Sequence, residues 1–156
     1  SLVIPTGTNR AYESASVPTT RTIEIVFKIQ SGSRHLYFDK RKGTHPVITA
    51  QTNKTQMQLV NGSGPGINWS KYNQRTSLVV TYDSSFVPTS AYSDGQKLDF
   101  TTISNSWSTS GTTFCIGSRT NDVFNGEYCA LRIYNRELTE AEILQNYEVD
   151  RQRFGF

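Results

Sequence analysis

Side chains able to do chemistry are few and scattered in this chain of 156 residues. Hydrolysis of a glycosidic bond needs two facing carboxylates roughly 5–9.5 Å apart, which on a strand means acidic residues at alternate positions. No Glu-x-Asp-x-Glu run occurs. Glu24 and Glu127 stand alone on predicted strands, while Glu137, Glu140, Glu142 and Glu148 belong to a predicted helix and its approach. Acids there are accounted for by the positive end of the helix dipole and a solvated face. His35 and His45 are the only histidines, and neither lies in a Ser or Cys nucleophile motif. Asn61-Gly-Ser-Gly-Pro-Gly66 is glycine-rich, but it lacks the Gly-Lys-Ser/Thr ending of a phosphate loop and no helical pattern follows it. Cys115 and Cys129 are too few for a structural zinc site. The chain is therefore expected not to be an enzyme.

Recognition asks for less: exposed aromatic faces that stack on the apolar side of a sugar, beside amide, hydroxyl or guanidinium groups that read its hydroxyls. Trp69, Tyr72, Asn73, Trp107 and Arg119 are borne on predicted loops and are the candidate ligand-binding residues. The competing reading has both tryptophans closing the ends of the fold as partial core.

The elements that must position these residues are mostly strands. Thr22–Ile29 alternates, with Ile23, Ile25, Phe27 and Ile29 on one face. Ser31-Gly-Ser33 then breaks the chain, and His35–Phe38 is expected as the return strand of a hairpin. Pro46–Ala50 and Gln56–Val60 are further strands, and Asn61–Gly66 is expected as loop. Leu78–Tyr82 is apolar on both faces at its centre and reads as a central strand. Asp94-Gly95 tolerates the positive φ values of a type I′ turn, making Ala91–Leu98 a hairpin. Thr101–Thr112 is expected as loop with an edge strand, and Ser1–Pro18 as one edge strand and a long loop. From Glu127 to Tyr134 a period of two places Leu131 and Ile133 on one face and Arg132 and Tyr134 on the other. The period then changes: Thr139 and Glu142 form a capping box, flanked by Leu138 and Ile143 as a hydrophobic staple. Some ten to twelve short strands and one terminal helix bury their alternating faces most economically in two stacked sheets.

Cys115 and Cys129 fall on strands expected to form the last hairpin. A cross-strand bridge needs matched Cβ vectors, so two free, partly buried thiols are expected.

The closing run Phe124-x-Gly126, then Arg132-Ile-Tyr-Asn-Arg-x-Leu138-Thr139-x-Ala141-Glu142-Ile143, resembles the end of laminin-G-like or concanavalin-A-like jelly rolls. Thr76–Asp83 followed by Ala91-Tyr-Ser-Asp-Gly95 is similar to the family's central strand and hairpin. Phe114-Cys-Ile-Gly117 is similar to its penultimate strand. The likeness runs from about Arg21 to Phe154 and is strongest from Ser77 onward. It implies an all-β, two-sheet antiparallel jelly-roll sandwich with one short C-terminal helix, and a tendency to bind glycans or proteins. No cofactor is expected. Calcium is the one ion the resemblance allows, with Asn121-Asp122 or Asp94 as oxygen donors, although no clustered carboxylate pattern supports it. Asn146–Gly155 resembles the tail of such modules in gut-bacterial surface and bacteriophage proteins. The expected setting is thus extracellular, at a cell surface or in a virion, with a cell-surface glycan or protein as partner. A structural virion decoration without glycan binding is the alternative.

Composition narrows the partners further. One domain spanning residues 1–156 is expected, and its start at Ser1 without methionine or a signal-like segment suggests part of a larger, multidomain or multimeric protein. A surplus of three basic residues, 16 against 13, with no basic stripe interleaved with aromatics, argues against nucleic acid. Lys40-Arg41-Lys42 is read as a solvated loop. No apolar stretch reaches the roughly 18–20 residues needed to span a bilayer, so no membrane insertion is expected.

Overall fold

The structure, a computed structural model, describes residues 2–4, 12–14, 19–30, 35–39, 45–50, 56–60, 64–103, 113–119 and 122–156. They form two antiparallel sheets and one helix. The first sheet orders its strands β1 (Leu2–Ile4), β15 (Gly126–Tyr134), β3 (Thr22–Ile29), β8 (Arg75–Tyr82), β9 (Pro88–Ser93) and β10 (Gln96–Leu98). The second orders β11 (Phe100–Ile103), β7 (Gly64–Asn68), β6 (Gln56–Val60), β5 (Pro46–Ala50), β4 (His35–Asp39), β12 (Phe114–Ile116) and β2 (Tyr12–Ser14). A small ribbon pairs β13 (Ser118–Arg119) with β14 (Asp122–Val123), and α1 spans Glu140–Phe154. This is the all-β sandwich with one C-terminal helix expected from the sequence. Among the described residues, no helix is long and apolar enough to cross a membrane.

The core lies between the sheets. The alternating residues Ile23, Ile25, Phe27 and Ile29 of β3 point into it together with Leu78, Val80 and Tyr82 of β8. From the second sheet come Leu36, Tyr37, Ile48, Ala50, Met57, Leu59 and Ile67. Two buried phenols tie the layers: Tyr82 donates to the Leu59 carbonyl (2.9 Å) and Tyr128 to that of Leu36 (2.6 Å). Each satisfies a polar group that burial would otherwise penalise. The outer face of the first sheet is also covered. Val79 and Tyr92 pack there against Leu138 and Ile143 of the helical segment, which explains why β8 is apolar on both faces.

Several local expectations change. β4 does not return beside β3, because both edges of β3 are taken by β15 and β8; the chain crosses to the second sheet instead. Cys115 and Cys129 are not on one hairpin, since β12 lies in the second sheet and β15 in the first, and both thiols are free. The alternation in β15 is interrupted by a bulge between Tyr128 and Ala130, so Tyr128 shares the inward face with Leu131 and Ile133. Gly64–Asn68 is a strand rather than loop. The glycine at Gly66 answers a close approach, because a Cβ there would collide with the Ile103 side chain of the neighbouring β11 and with the Met57 carbonyl. Tyr12–Ser14 adds a second strand to the N-terminal segment.

Candidate functional site

The site is built where the C-terminal helix meets the first sheet, so the fastening of that helix comes first. Thr139 is its N-cap. The Glu142 N–H donates to the Thr139 hydroxyl oxygen (3.3 Å), and the Glu142 carboxylate accepts from the Thr139 N–H (2.9 Å), completing the predicted box. Two Arg136 nitrogens at 2.7 and 2.9 Å, with Thr139, hold the Glu142 carboxyl down at about 2.

Further along, Arg132 on β15 donates to both oxygens of the buried Asp150 (2.5 and 2.8 Å) and lies 3.4 Å from the buried Glu24 of β3. Glu24 also accepts from the Tyr134 hydroxyl (2.9 Å) and the Asn146 amide (3.1 Å). Burial pushes the Glu24 carboxyl up, against the opposing pull of the Tyr134 hydrogen bond and the Arg132 charge. Burial, reinforced by Glu24, pushes Tyr134 up to about 12. Glu24 is thus not alone, as its sequence neighbours suggest. Its carboxylate partner, Asp150, lies on the helix, and Arg132 stands with both. Both acids lie beneath the helix with no exposure, and of the three charged groups only the Arg132 side chain reaches solvent, so the pair of carboxylates fastens structure and offers no path to a substrate.

The helix stops at Gly155, whose φ of 70° is left-handed and whose N–H donates to the Arg151 carbonyl (3.0 Å). This turn brings Phe156 back to Tyr147, with ring centroids 6.0 Å apart and planes inclined at 56°. The two rings form one wall of an open groove of about 560 Å³. Lys28 of β3, Arg75 of β8, the turn Asn73-Gln74 and Asp94 of the β9–β10 hairpin complete the lining.

Backbone geometry fixes the other walls. Asn73 is left-handed at φ 62°, and its N–H donates to the Ile29 carbonyl (2.8 Å). Asp94 (φ 51°) and Gly95 (φ 74°) make the predicted type I′ turn. A Cβ on Gly95 would stand 2.8 Å from a Tyr147 ring carbon, so hairpin and helix interlock. Arg75 donates to the Phe154 carbonyl (2.7 Å) and contacts Glu127 at 3.3 Å, tying the helix end to the sheet. Among the described residues, the Lys28 ammonium and the side-chain amides of Asn73 and Gln74 have no hydrogen-bond or ion-pair partner.

The candidates named from sequence separate here. Asn73 lines the groove. Tyr72 is half-buried against the main core, and burial raises its phenol. Trp69 is only 3% exposed and stacks on Phe27 with centroids 5.5 Å apart, so its ring presents no face to a ligand; it closes the core. Trp107 lies outside the described residues, and so does the side chain of Arg119. Asn121 and the Asp122 side chain lie outside them as well. Asp94 does not fit a calcium ligand, because Lys71 takes one carboxylate oxygen (2.5 Å) and the Ser77 N–H the other (2.8 Å). Among the described residues, no three His, Cys, Asp or Glu side chains group as a metal site. Lys28, Gln74, Tyr147 and Phe156 were not legible as site residues. They are distant in sequence, and only the helix docking brings them together.

A family model for Laminin_G_3, described as the concanavalin A-like lectin/glucanases superfamily, matches residues 12–144. The chain belongs to this superfamily. No curated protein matches it in sequence. Among solved structures, it is similar to the CBM40 module of Ruminococcus gnavus IT-sialidase bound to α2,3-sialyllactose (TM-score 0.55, 12% identity, 83% of each chain covered). It is also similar to the receptor-binding domain of botulinum neurotoxin type G (TM-score 0.55, 12% identity, 85% of this chain and 38% of that one). A third likeness is the binding domain of botulinum neurotoxin DC in complex with rat synaptotagmin II (TM-score 0.54, 15% identity, 83% and 36%). The chain therefore spans little more than a third of the toxin domains it resembles. At these identities the likeness is one of fold.

Proposed function

We propose that this superfamily member is a non-catalytic glycan-binding module, and that the groove between the β9–β10 hairpin and the end of α1 holds the sugar. The observation that carries the reading is that one groove is lined by the Tyr147–Phe156 ring pair and by two amides, Asn73 and Gln74, that have no partner of their own among the described residues. An aromatic wall takes the apolar face of a pyranose, and free amides read its hydroxyls. The sialyllactose bound by the similar CBM40 module supports a sugar ligand for this fold. The module is further read as extracellular, one part of a larger bacterial-surface or bacteriophage virion protein. The likeness of Asn146–Gly155 to the tails of such modules supports that setting.

A glycan array followed by titration tests the assignment. Asn73→Gly/Gln74→Ala, in which glycine keeps the left-handed backbone at position 73, should keep the parent melting temperature and weaken sugar binding about tenfold, the loss of one or two hydrogen bonds. A parent protein that binds no glycan, or a double variant that binds as well as the parent, would overturn it. The first of those outcomes would favour a protein-contact role, for which the toxin domain in complex with synaptotagmin II is the precedent in this fold.

A further inference from the structure

The charges around the groove do not cancel. Lys71, Arg75 and Lys28 supply three cations, and Asp94 and Glu127 two carboxylates. Lys71 is closed by Asp94 at 2.5 Å. Arg75 is closed by Glu127 at 3.3 Å, and its other terminal nitrogen is spent on the Phe154 carbonyl. Lys28 lies between those two in the sheet, opposite Glu127 on one side and Arg75 on the other. The Glu127 carboxylate nonetheless reaches past it to the guanidinium. One ammonium is left over, in the lining of the groove that also carries the aromatic pair and the unengaged amides of Asn73 and Gln74.

From this, and resting on the glycan reading above, we infer that the ligand is an acidic glycan: Lys28 binds its carboxylate or sulfate while the ring lies on Tyr147 and Phe156. A neutral sugar would leave the ammonium unanswered. An anionic one gains a charge-assisted hydrogen bond, stronger than the neutral contacts available elsewhere in the groove. The half-open setting keeps the charge hydrated enough to be tolerated when the groove is empty. It also makes the interaction sensitive to salt, since exposed charges are screened over about 10 Å at 0.1 M ionic strength.

The test uses the whole chain and a matched set of ligands: lactose, 3′-sialyllactose and 3′-sulfolactose, preceded by an array of neutral, sialylated, uronated and sulfated glycans. The expected result is that acidic members bind at least tenfold more tightly than neutral counterparts. Lys28→Gln, with an unchanged melting temperature, should remove that preference, and raising salt from 50 to 500 mM (about a threefold shorter screening length) should reduce it. Carboxylated against sulfated members distinguish which anion is read. Equal binding of neutral and acidic glycans, or an acidic preference that survives Lys28→Gln, would overturn this inference and leave the glycan reading standing. Absence of binding to every glycan would overturn both.

Discussion

Two polar clusters lie on the same side of the first sheet, within two turns of one helix, and they are put to opposite uses. Around Arg132 the two acids are buried among partners: Asp150 takes two hydrogen bonds, and one Glu24 oxygen takes one from Tyr134 and one from Asn146 while the other has only the Arg132 charge, 3.4 Å away. Around Lys28 the groups are accessible and idle. A polar group whose partners lie within the chain contributes to the fold; one left without them in an open groove is available to a ligand. Distance from the helix does not separate the two. Burial among charged partners does.

The sharpest way to break this contrast is to remove the cation from the first cluster. Arg132→Ala leaves Asp150 and Glu24 facing one another beneath the helix, and breaking a buried ion pair costs about 3 kcal/mol or more. Chemical denaturation should report a loss of that size; a loss under about 1 kcal/mol, typical of exposed pairs, would show that the cluster does not fasten the helix. A smaller effect is expected where the hairpin meets the helix. Gly95→Ala forces an L side chain into φ 74° and against Tyr147, so about 1 kcal/mol of stability should be lost together with affinity for the sugar. Unchanged affinity in that variant would separate the aromatic wall from the binding site.

The smallest effect concerns pH. A carboxyl whose folded value is raised binds more protons in the folded state than in the unfolded one, so its contribution to stability falls as pH rises from the ordinary 4.5 through the raised folded value. Mild acidification from neutrality should therefore tighten the fold slightly through Glu24. Urea unfolding across that window should show the slope in the parent and a flatter one in Glu24→Gln; parallel profiles would refute the assignment to Glu24.

The legible parts of this molecule are those whose causes are local. The Thr139–Glu142 box, the Asp94-Gly95 turn and the alternation of Thr22–Ile29 each depend on residues within a few positions of one another. The turn of the chain after Ile29 depends on which strands already occupy the edges of β3, a fact of the whole sheet. The bulge at Cys129 and the glycine at Gly66 answer neighbours far along the chain. Trp69 illustrates the same limit at the site: its flanking sequence looks like a loop rim, yet Phe27 draws the ring inward. Asn73 was found because a turn residue is also a rim residue. Lys28 was hidden inside a strand whose alternate residues serve the core.

The Asn73-Gln74 turn has an evolutionary consequence. Its shape is held by main-chain geometry, through the Asn73 N–H on the Ile29 carbonyl, and not by either side chain. The left-handed backbone restricts position 73 largely to Asn, Asp or Gly, whereas position 74 carries no such restriction. Descendants of this sequence are thus free to retarget by drift at Gln74 and Lys28, with no compensating change in the sandwich beneath.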